Sequence, residues 1–400
     1  MANSIFSPAC NNFVGLNNNW KRVIPMTCNN MSLPRVLTTR LSATSRNVFK
    51  WANSEDSDMS TMEASLSLTP DFILPVERRP NLAEVSKLGD NVPIIDMGTG
   101  DADGLVEEIA RACEMYGLFL IKNHGVPQEL CESMLAGVTD LFHLPPKVKA
   151  LLVSDDPTKD VRICNHYRKA EEKGDSKAKR FSMWSEVFKH PWHPSDQSFA
   201  DLLPSDPPNY RKIVTTYAKE IGILMSRLFN LMSQGLGLEG DVLQNRLGKN
   251  PLCRVQANYY PPCSNPDLTL GLGVHTDRDA LTVVLPTPNV EGLQIMKDDR
   301  WMIVDPVPNA LVVNIGDQLQ VLSNGKYKSV LHRVVTNECQ SRVSLAMFYG
   351  PDKDALIGPI ENLIDDQHPQ VYRNYYFSEF LEVYRKQEGK NRKIKEFFEI

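Results

Sequence analysis

Ser329-Val-Leu-His-Arg-Val-Val335, followed by Arg342-Val-Ser-Leu-Ala-Met-Phe348, decides the fold. Both runs are short, rich in β-branched and apolar residues and flanked by turn formers, so they read as strands buried in a core. Working outward, five more segments repeat the pattern: Arg254–Tyr260, Leu281–Leu285, Gly292–Met296, Trp301–Val304 and Ala310–Ile315. Between them lie Pro286-Thr-Pro288, Lys297-Asp-Asp-Arg300, Pro306-Val-Pro308 and Ser323-Asn-Gly325. Many short strands separated by turn residues predict a sandwich or barrel of jelly-roll type. Asn324-Gly325 reads as a hairpin turn, since both residues tolerate positive φ, and Asp298-Asp299 as a solvated turn.

Towards the N-terminus the period changes. Val92–Asp96 and Leu118–Ile121 read as strands, and residues 103–116 carry apolar side chains at helical spacing behind an N-cap at Asp103. Gly117 ends that helix. His124 lies in an Asn-His-Gly turn, which favours a backbone-bonding role over a ligand role. Residues 127–152 are helical with a break at Pro145-Pro146, and 209–236 form a long helix whose Met and Leu stripe faces the core. The tail from Pro369 is helical as well. The expected organisation is a leader over 1–55, an N-terminal helical region over 90–245, a β core over 250–350 and a C-terminal helical cover over 351–400.

The leader has no Asp or Glu before Glu55 but contains Lys21, Arg22, Arg35, Arg40, Arg46 and Lys50. That composition suits a transit peptide, here to a plastid. A disordered tail, or a start at Met59 or Met62, stays open, and with it a cytoplasmic location. A net charge of −5 argues against a nucleic-acid partner. The eight cysteines include no CxxC pair, so neither a disulfide framework nor a zinc site is expected. No apolar run approaches the roughly 18 residues that a membrane span needs. A monomer acting on a small molecule is the expectation.

The chemistry gathers in the strand-rich half. In Gly273-Val-His-Thr-Asp277, His275 and Asp277 are two residues apart and share a face if the chain is extended. With His332 from a distant strand they offer two imidazoles and one carboxylate on one side of a metal, a donor set suited to non-haem Fe(II) and dioxygen. Arg342 and Ser344 repeat the i, i+2 spacing, and an arginine flanked by apolar residues in a buried strand needs an anionic partner. Asn258 and Tyr260 share a face in Asn258-Tyr-Tyr-Pro-Pro-Cys263.

The strings NYYPPC, HTD, SVLHRVVTN and RVS, with NHGV and GLQIMKDDRW around them, resemble the plant 2-oxoglutarate- and Fe(II)-dependent dioxygenases from about Pro93 to Tyr384. The wording of 309–337 is similar to the specialised-metabolism and hormone hydroxylases, among them the downy-mildew-resistance and salicylate hydroxylase, jasmonate oxygenase and hyoscyamine hydroxylase types. The resemblance implies an α+β fold with a mainly β core, a double-stranded β-helix (jelly roll) flanked by N- and C-terminal helices. It implies Fe(II) on His275, Asp277 and His332, and 2-oxoglutarate on Arg342, Ser344, Tyr260 and Asn258. The implied reaction consumes O2 and 2-oxoglutarate, releases succinate and carbon dioxide, and hydroxylates, desaturates or epoxidises a small metabolite or hormone, with ascorbate as reductant. Phe348, Tyr167 and Phe181 are candidate substrate-pocket residues, and Tyr375 and Phe377 are candidate cavity walls. Leu285-Pro-Thr-Pro288 departs from the pattern common in relatives and predicts an altered loop. An Fe(II) oxidase that does not use 2-oxoglutarate, and a silent ligand-binding relative, stay open.

Overall fold

The computed structural model describes residues 68–82, 85, 92–170, 179–387 and 394–400, so the leader lies outside it. The N-terminal half supplies β1 (Ile94–Asp96), α1 (Ala102–Met115), β2 (Leu118–Lys122), α2 (Gln128–Phe142), α3 (Pro146–Leu152), β3 (Arg162–Cys164), β4 (Tyr167–Ala170), β5 (Lys179–Ser182), β6 (Glu186–Pro191), α4 (Tyr210–Gly235) and α5 (Val242–Arg246). The strand-rich half supplies β7 (Leu252–Tyr260), β8 (Leu272–His275), β9 (Leu281–Pro286), β10 (Leu293–Lys297), β11 (Arg300–Ile303), β12 (Leu311–Ile315), α6 (Asp317–Leu322), β13 (His332–Val334) and β14 (Arg342–Gly350). The hairpin of β15 (Leu356–Ile357) with β16 (Tyr375–Tyr376) and helix α7 (Phe377–Lys386) complete the chain.

Two sheets face each other. The larger has the order β1-β2-β12-β9-β14-β7-β6-β3 and the smaller β11-β10-β13-β8. This is the expected jelly-roll core within an α+β fold. Alternation divides each strand of the large sheet. Val343, Leu345, Met347 and Tyr349 of β14 join the main core with the stripe Val214, Tyr217, Ile221, Met225, Leu228 and Met232 of α4. The opposite face carries Arg342, Ser344, Ala346 and Phe348 and looks into the space between the sheets. There Leu118, Leu120, Tyr260, Leu293, Ile295, Met302, Val312 and Val334 form a second, inner core.

Local chemistry explains several boundaries. Gly117 adopts φ +66°, and a Cβ there would lie 2.1 Å from the Lys328 carbonyl oxygen, so only glycine fits. Asp298 and Asp299 both take positive φ and close the β10–β11 hairpin between Lys297 and Arg300. Pro286 cannot donate to its neighbour in β14, and Thr287 compensates: its backbone N–H donates to the Val343 carbonyl at 2.8 Å, and Val343 N–H donates to its hydroxyl at 2.9 Å.

Four expectations change. Asp101, not Asp103, caps α1, accepting from Gly104 N–H at 3.0 Å. Asn324-Gly325 closes no hairpin; both residues take positive φ directly after α6, where Gly325 N–H bonds the Gln320 carbonyl. Over 90–245 the chain is not only helical, because β6 adds to the large sheet against β7 and β3 extends it. Tyr375 and Phe377 belong to the main core rather than to a cavity wall.

Candidate active site

His275 ends β8 and His332 begins β13, and the two are direct partners in the antiparallel ladder. Their ring centroids are 4.1 Å apart. Asp277 is not in an extended strand, because β8 stops at His275. Instead the first turn of α6 captures the loop: Asp317 N–H donates to the Asp277 carbonyl at 2.7 Å, and the Thr276 hydroxyl donates to the Asp317 carboxylate at 3.2 Å. The result still places Asp277 Oδ1 3.7 Å from His275 Nε2 and 3.6 Å from His332 Nε2. One donor atom from each of the three buried residues falls within 4.8 Å of the others.

The supporting contacts fix which atoms face the common point. His275 Nδ1 lies 2.8 Å from the Gly273 carbonyl and His332 Nδ1 3.1 Å from the Val330 carbonyl. Each Nδ1 therefore donates to the backbone, leaving the Nε2 lone pair for a metal. Asn314 Nδ2 donates to Asp277 Oδ2 at 3.1 Å, which leaves Oδ1 as the inward donor. The donors present fit a divalent first-row metal of the Fe(II) kind, with one face open. Asn314 is a site residue that the sequence reading passed over. Its signal was a lone amide inside the apolar run Leu311-Val-Val-Asn-Ile315.

Beside this centre, β7 and β14 bring the second group together. Arg342 pairs with Tyr260 and Ser344 with Asn258 in register, and the Asn258 amide donates to the Ser344 hydroxyl at 3.3 Å. The Arg342 guanidinium carbon lies 5.4 Å from the Tyr260 ring centroid. Arg342 is 5 % exposed, and its Nε and Nη1 have no hydrogen-bond partner among the described residues. Burial pushes its pKa below the usual arginine range, opposed in part by the Tyr260 hydroxyl. A buried, unpaired guanidinium is costly, and a bound carboxylate would satisfy it. Gly292 makes the room: a Cβ there would stand 3.1 Å from Arg342 Cδ.

Of the candidate pocket residues, Phe348 lies on the same inward face of β14 as Ser344, with the Arg254 guanidinium carbon 5.1 Å from its ring centroid. Phe181 packs with Leu74, Met183 and Leu270 in a separate small cluster. Tyr167 pairs through its backbone with Ser182 in the β4–β5 hairpin, and its side chain is outside the described residues.

A redox-metal donor set between two jelly-roll sheets, with an anion site on the neighbouring strands, defines a class of oxygenase. Residues 251–351 match the 2OG-Fe(II) oxygenase superfamily, and residues 92–210 match the non-haem dioxygenase in morphine synthesis N-terminal family. The chain is 39 % identical over 332 residues to Protein DMR6-LIKE OXYGENASE 1 of Arabidopsis thaliana, covering 82 % of this chain and 92 % of that protein. It is 38 % identical to Flavanone 3-dioxygenase 2 of Oryza sativa subsp. japonica, covering 78 % and 89 %. A crystal structure of JOX2 in complex with 2OG, Fe and JA superposes with TM-score 0.73 at 33 % identity, covering 87 % of this chain and 98 % of JOX2. The chain belongs to the plant 2-oxoglutarate- and Fe(II)-dependent dioxygenases. It is an oxygenase that uses Fe(II) and 2-oxoglutarate.

Proposed function

We propose that this oxygenase hydroxylates a small plant metabolite or hormone at an unactivated C–H bond, releasing succinate and carbon dioxide. The observation that carries the reading is the three-donor cluster beside the buried Arg342, whose Nε and Nη1 have no partner among the described residues. In it, His275 Nε2, Asp277 Oδ1 and His332 Nε2 hold Fe(II), and the two Nδ1–H bonds keep both imidazoles in the ligating tautomer. Arg342 and Ser344 receive the distal carboxylate of 2-oxoglutarate, Tyr260 borders it, and Asn258 orients the Ser344 hydroxyl. Bound iron with the 2-oxo acid and O2 supplies the oxidant; the chain positions the acid, excludes water and selects the carbon presented. Phe348 contributes an apolar wall, and ascorbate maintains the ferrous state.

Relatives bear the names Flavanone 3-dioxygenase 2, Hyoscyamine 6-dioxygenase and Jasmonate-induced oxygenase 2, which supports a metabolite or hormone substrate. The test is to incubate purified protein with Fe(II), ascorbate, 2-oxoglutarate and a plant leaf extract. Mass spectrometry then follows products that gain oxygen or lose hydrogen, with His275→Ala as blank. Identical profiles for protein and blank would sink the proposal, and substrate loss without stoichiometric succinate would favour an oxidase independent of 2-oxoglutarate. Plastid import by residues 1–55 is a separate proposal, refuted if a fluorescent fusion of that segment stays cytosolic.

A further inference from the structure

The sheet face that carries Arg342 carries a second cationic site at its other edge. Lys189 of β6 lies on the rung Arg162–Lys189–Gln256–Ala346, and its alternation places it on the inward face with Gln256. It is half-buried, and among the described residues no hydrogen bond or ion pair reaches its ammonium. The groups whose charge it feels are Cys164, Tyr384, Arg254 and Arg162, and none is a carboxylate. Burial pushes its pKa down, with Arg254 and Arg162 adding to the effect. Arg278 continues the patch, its guanidinium carbon 4.9 Å from the Tyr384 ring centroid. The carboxylate at this edge, Asp279, is already held by Arg254 and lies 3.5 Å from Arg278. Among the described residues, Arg254 and Arg278 share Asp279 and Arg162 bonds the Pro157 and Lys159 carbonyls, which leaves the Lys189 ammonium with neither a carboxylate nor a carbonyl.

The neighbouring rung connects this edge to the metal centre. It runs Pro191–Arg254–Phe348–Thr282–Asn314, and Asn314 bonds Asp277. The Thr282 hydroxyl and Asn314 Oδ1 have no partner among the described residues, so the floor near the three-donor cluster offers polar atoms to a ligand. Arg254 to Asn314 spans three ladder steps, about 14 Å along the curved sheet at ~4.8 Å per strand. We infer that the substrate is an organic acid whose carboxylate pairs with Lys189 on β6, lies across Phe348 and is oxidised at a carbon remote from that carboxylate. The inference deepens the proposed hydroxylase function and rests on it.

The test compares acids with their methyl esters. A plant leaf extract is split by anion exchange into acidic and neutral fractions, part of the acidic fraction is methylated, and each is incubated with holoenzyme, 2-oxoglutarate and O2. Wild type is expected to oxidise acidic compounds, and their esters at least about tenfold less efficiently, because truncating one partner of a desolvated charge pair costs at least that. Lys189→Met raises KM for the acid about tenfold or more without changing KM for 2-oxoglutarate, and Lys189→Arg restores most of the loss. The exposed Lys386→Met serves as the surface-charge control. Oxidation of neutral compounds alone, equal turnover of acids and esters, or no turnover in the acidic fraction overturns the inference. So does a marked loss of metal-free thermal stability in Lys189→Met, which would reveal a partner within the chain. Absence of succinate in every fraction, together with no Fe(II)–2-oxoglutarate absorption band under argon, would count instead against the hydroxylase function.

Discussion

Arg342→Met separates stability from function with opposite signs. The guanidinium is 5 % exposed with two donor nitrogens unpartnered among the described residues, so without co-substrate it is a desolvated cation held by the Tyr260 hydroxyl and ring. Methionine has similar reach and no charge. Removing the uncompensated donors should return about 1–3 kcal/mol, and losing the cation–π contact should cost about 0.5–2 kcal/mol. The metal-loaded variant without 2-oxoglutarate is therefore expected between about 1 kcal/mol less and about 2.5 kcal/mol more stable than wild type, centred on the stabilised side. With 2-oxoglutarate the order reverses. Truncating one side of a desolvated charge pair costs about 2–5 kcal/mol, which raises Kd by about 30-fold to several thousand-fold. At a concentration near 100 times the wild-type Kd, wild type gains about 2.7 kcal/mol and the variant less than about 1 kcal/mol. Urea denaturation under argon with Fe(II), with and without 2-oxoglutarate, reads both signs. If the variant is several kcal/mol weaker without co-substrate, Arg342 already has a partner in the fold. If 2-oxoglutarate stabilises both proteins equally, Arg342 does not hold it.

Other changes follow from the same geometry. Gly292→Ala puts a methyl 3.1 Å from Arg342 Cδ and 3.2 Å from the Val335 carbonyl oxygen, and should raise KM for 2-oxoglutarate on the order of tenfold with Fe(II) affinity unchanged. An unchanged KM in steady-state succinate assays would free Arg342 from dependence on Gly292. Asn314→Ala removes the bond that turns Asp277 Oδ1 inward, so the Fe(II) concentration for half-maximal turnover should rise about 10–100-fold. Equal iron titrations for variant and wild type would refute it. His190 is buried, accepts from the Tyr210 hydroxyl at 2.9 Å, and has its pKa lowered by burial from 6.5 to about 4. The unfolded state binds the proton first, so this contribution is complete above pH 6.5 and lost as pH falls towards 4, about 3 kcal/mol in all. In metal-free protein, His190→Gln should flatten the fall in unfolding free energy between pH 7 and 5; an unchanged slope would show that other groups set it.

The strands of the core were legible because burial on both faces forces continuous runs of Val, Ile, Leu and aromatic residues. β6 was not, because Glu186-Val-Phe-Lys-His-Pro191 mixes a buried Glu186 with an inward Lys189 and an edge proline. Its polar residues encode function and ion pairing: Glu186 forms a buried pair with Lys149 at 2.5 Å. The iron and co-substrate candidates were legible through repeated i, i+2 spacing in 258–260, 275–277 and 342–344. For His275 and Asp277 the spacing led to the right juxtaposition by an incomplete route, since the loop is set by α6 rather than by a strand. Asn314 and Gly292 stayed hidden because their parts depend on register between strands distant in sequence. No local pattern shows that Asn314 faces Asp277 or that Gly292 lies under the Arg342 side chain.

That dependence on register has a consequence for how the enzyme is built. The imidazoles sit on β8 and β13 of the small sheet, whereas Arg342, Ser344, Tyr260 and Asn258 sit on β14 and β7 of the large one. The Asn314–Asp277 bond and the Arg254–Asp279 ion pair tie the large sheet to the loop after β8, and the inner core helps to set the separation of the two groups. Tyr260 belongs to both, as an inner-core residue and as the neighbour of Arg342. Ile295, wholly buried in that core, is the ladder partner of His332. Interiors packed at crystal-like density transmit displacements instead of absorbing them. The distance between the three-donor cluster and Arg342 is thus a packing property of apolar residues between the sheets, and the clustered residues alone do not determine it. A substrate reaching from Lys189 across Phe348 to the iron donors would lie along the same interior face, so one set of packed side chains aligns metal, co-substrate and substrate together.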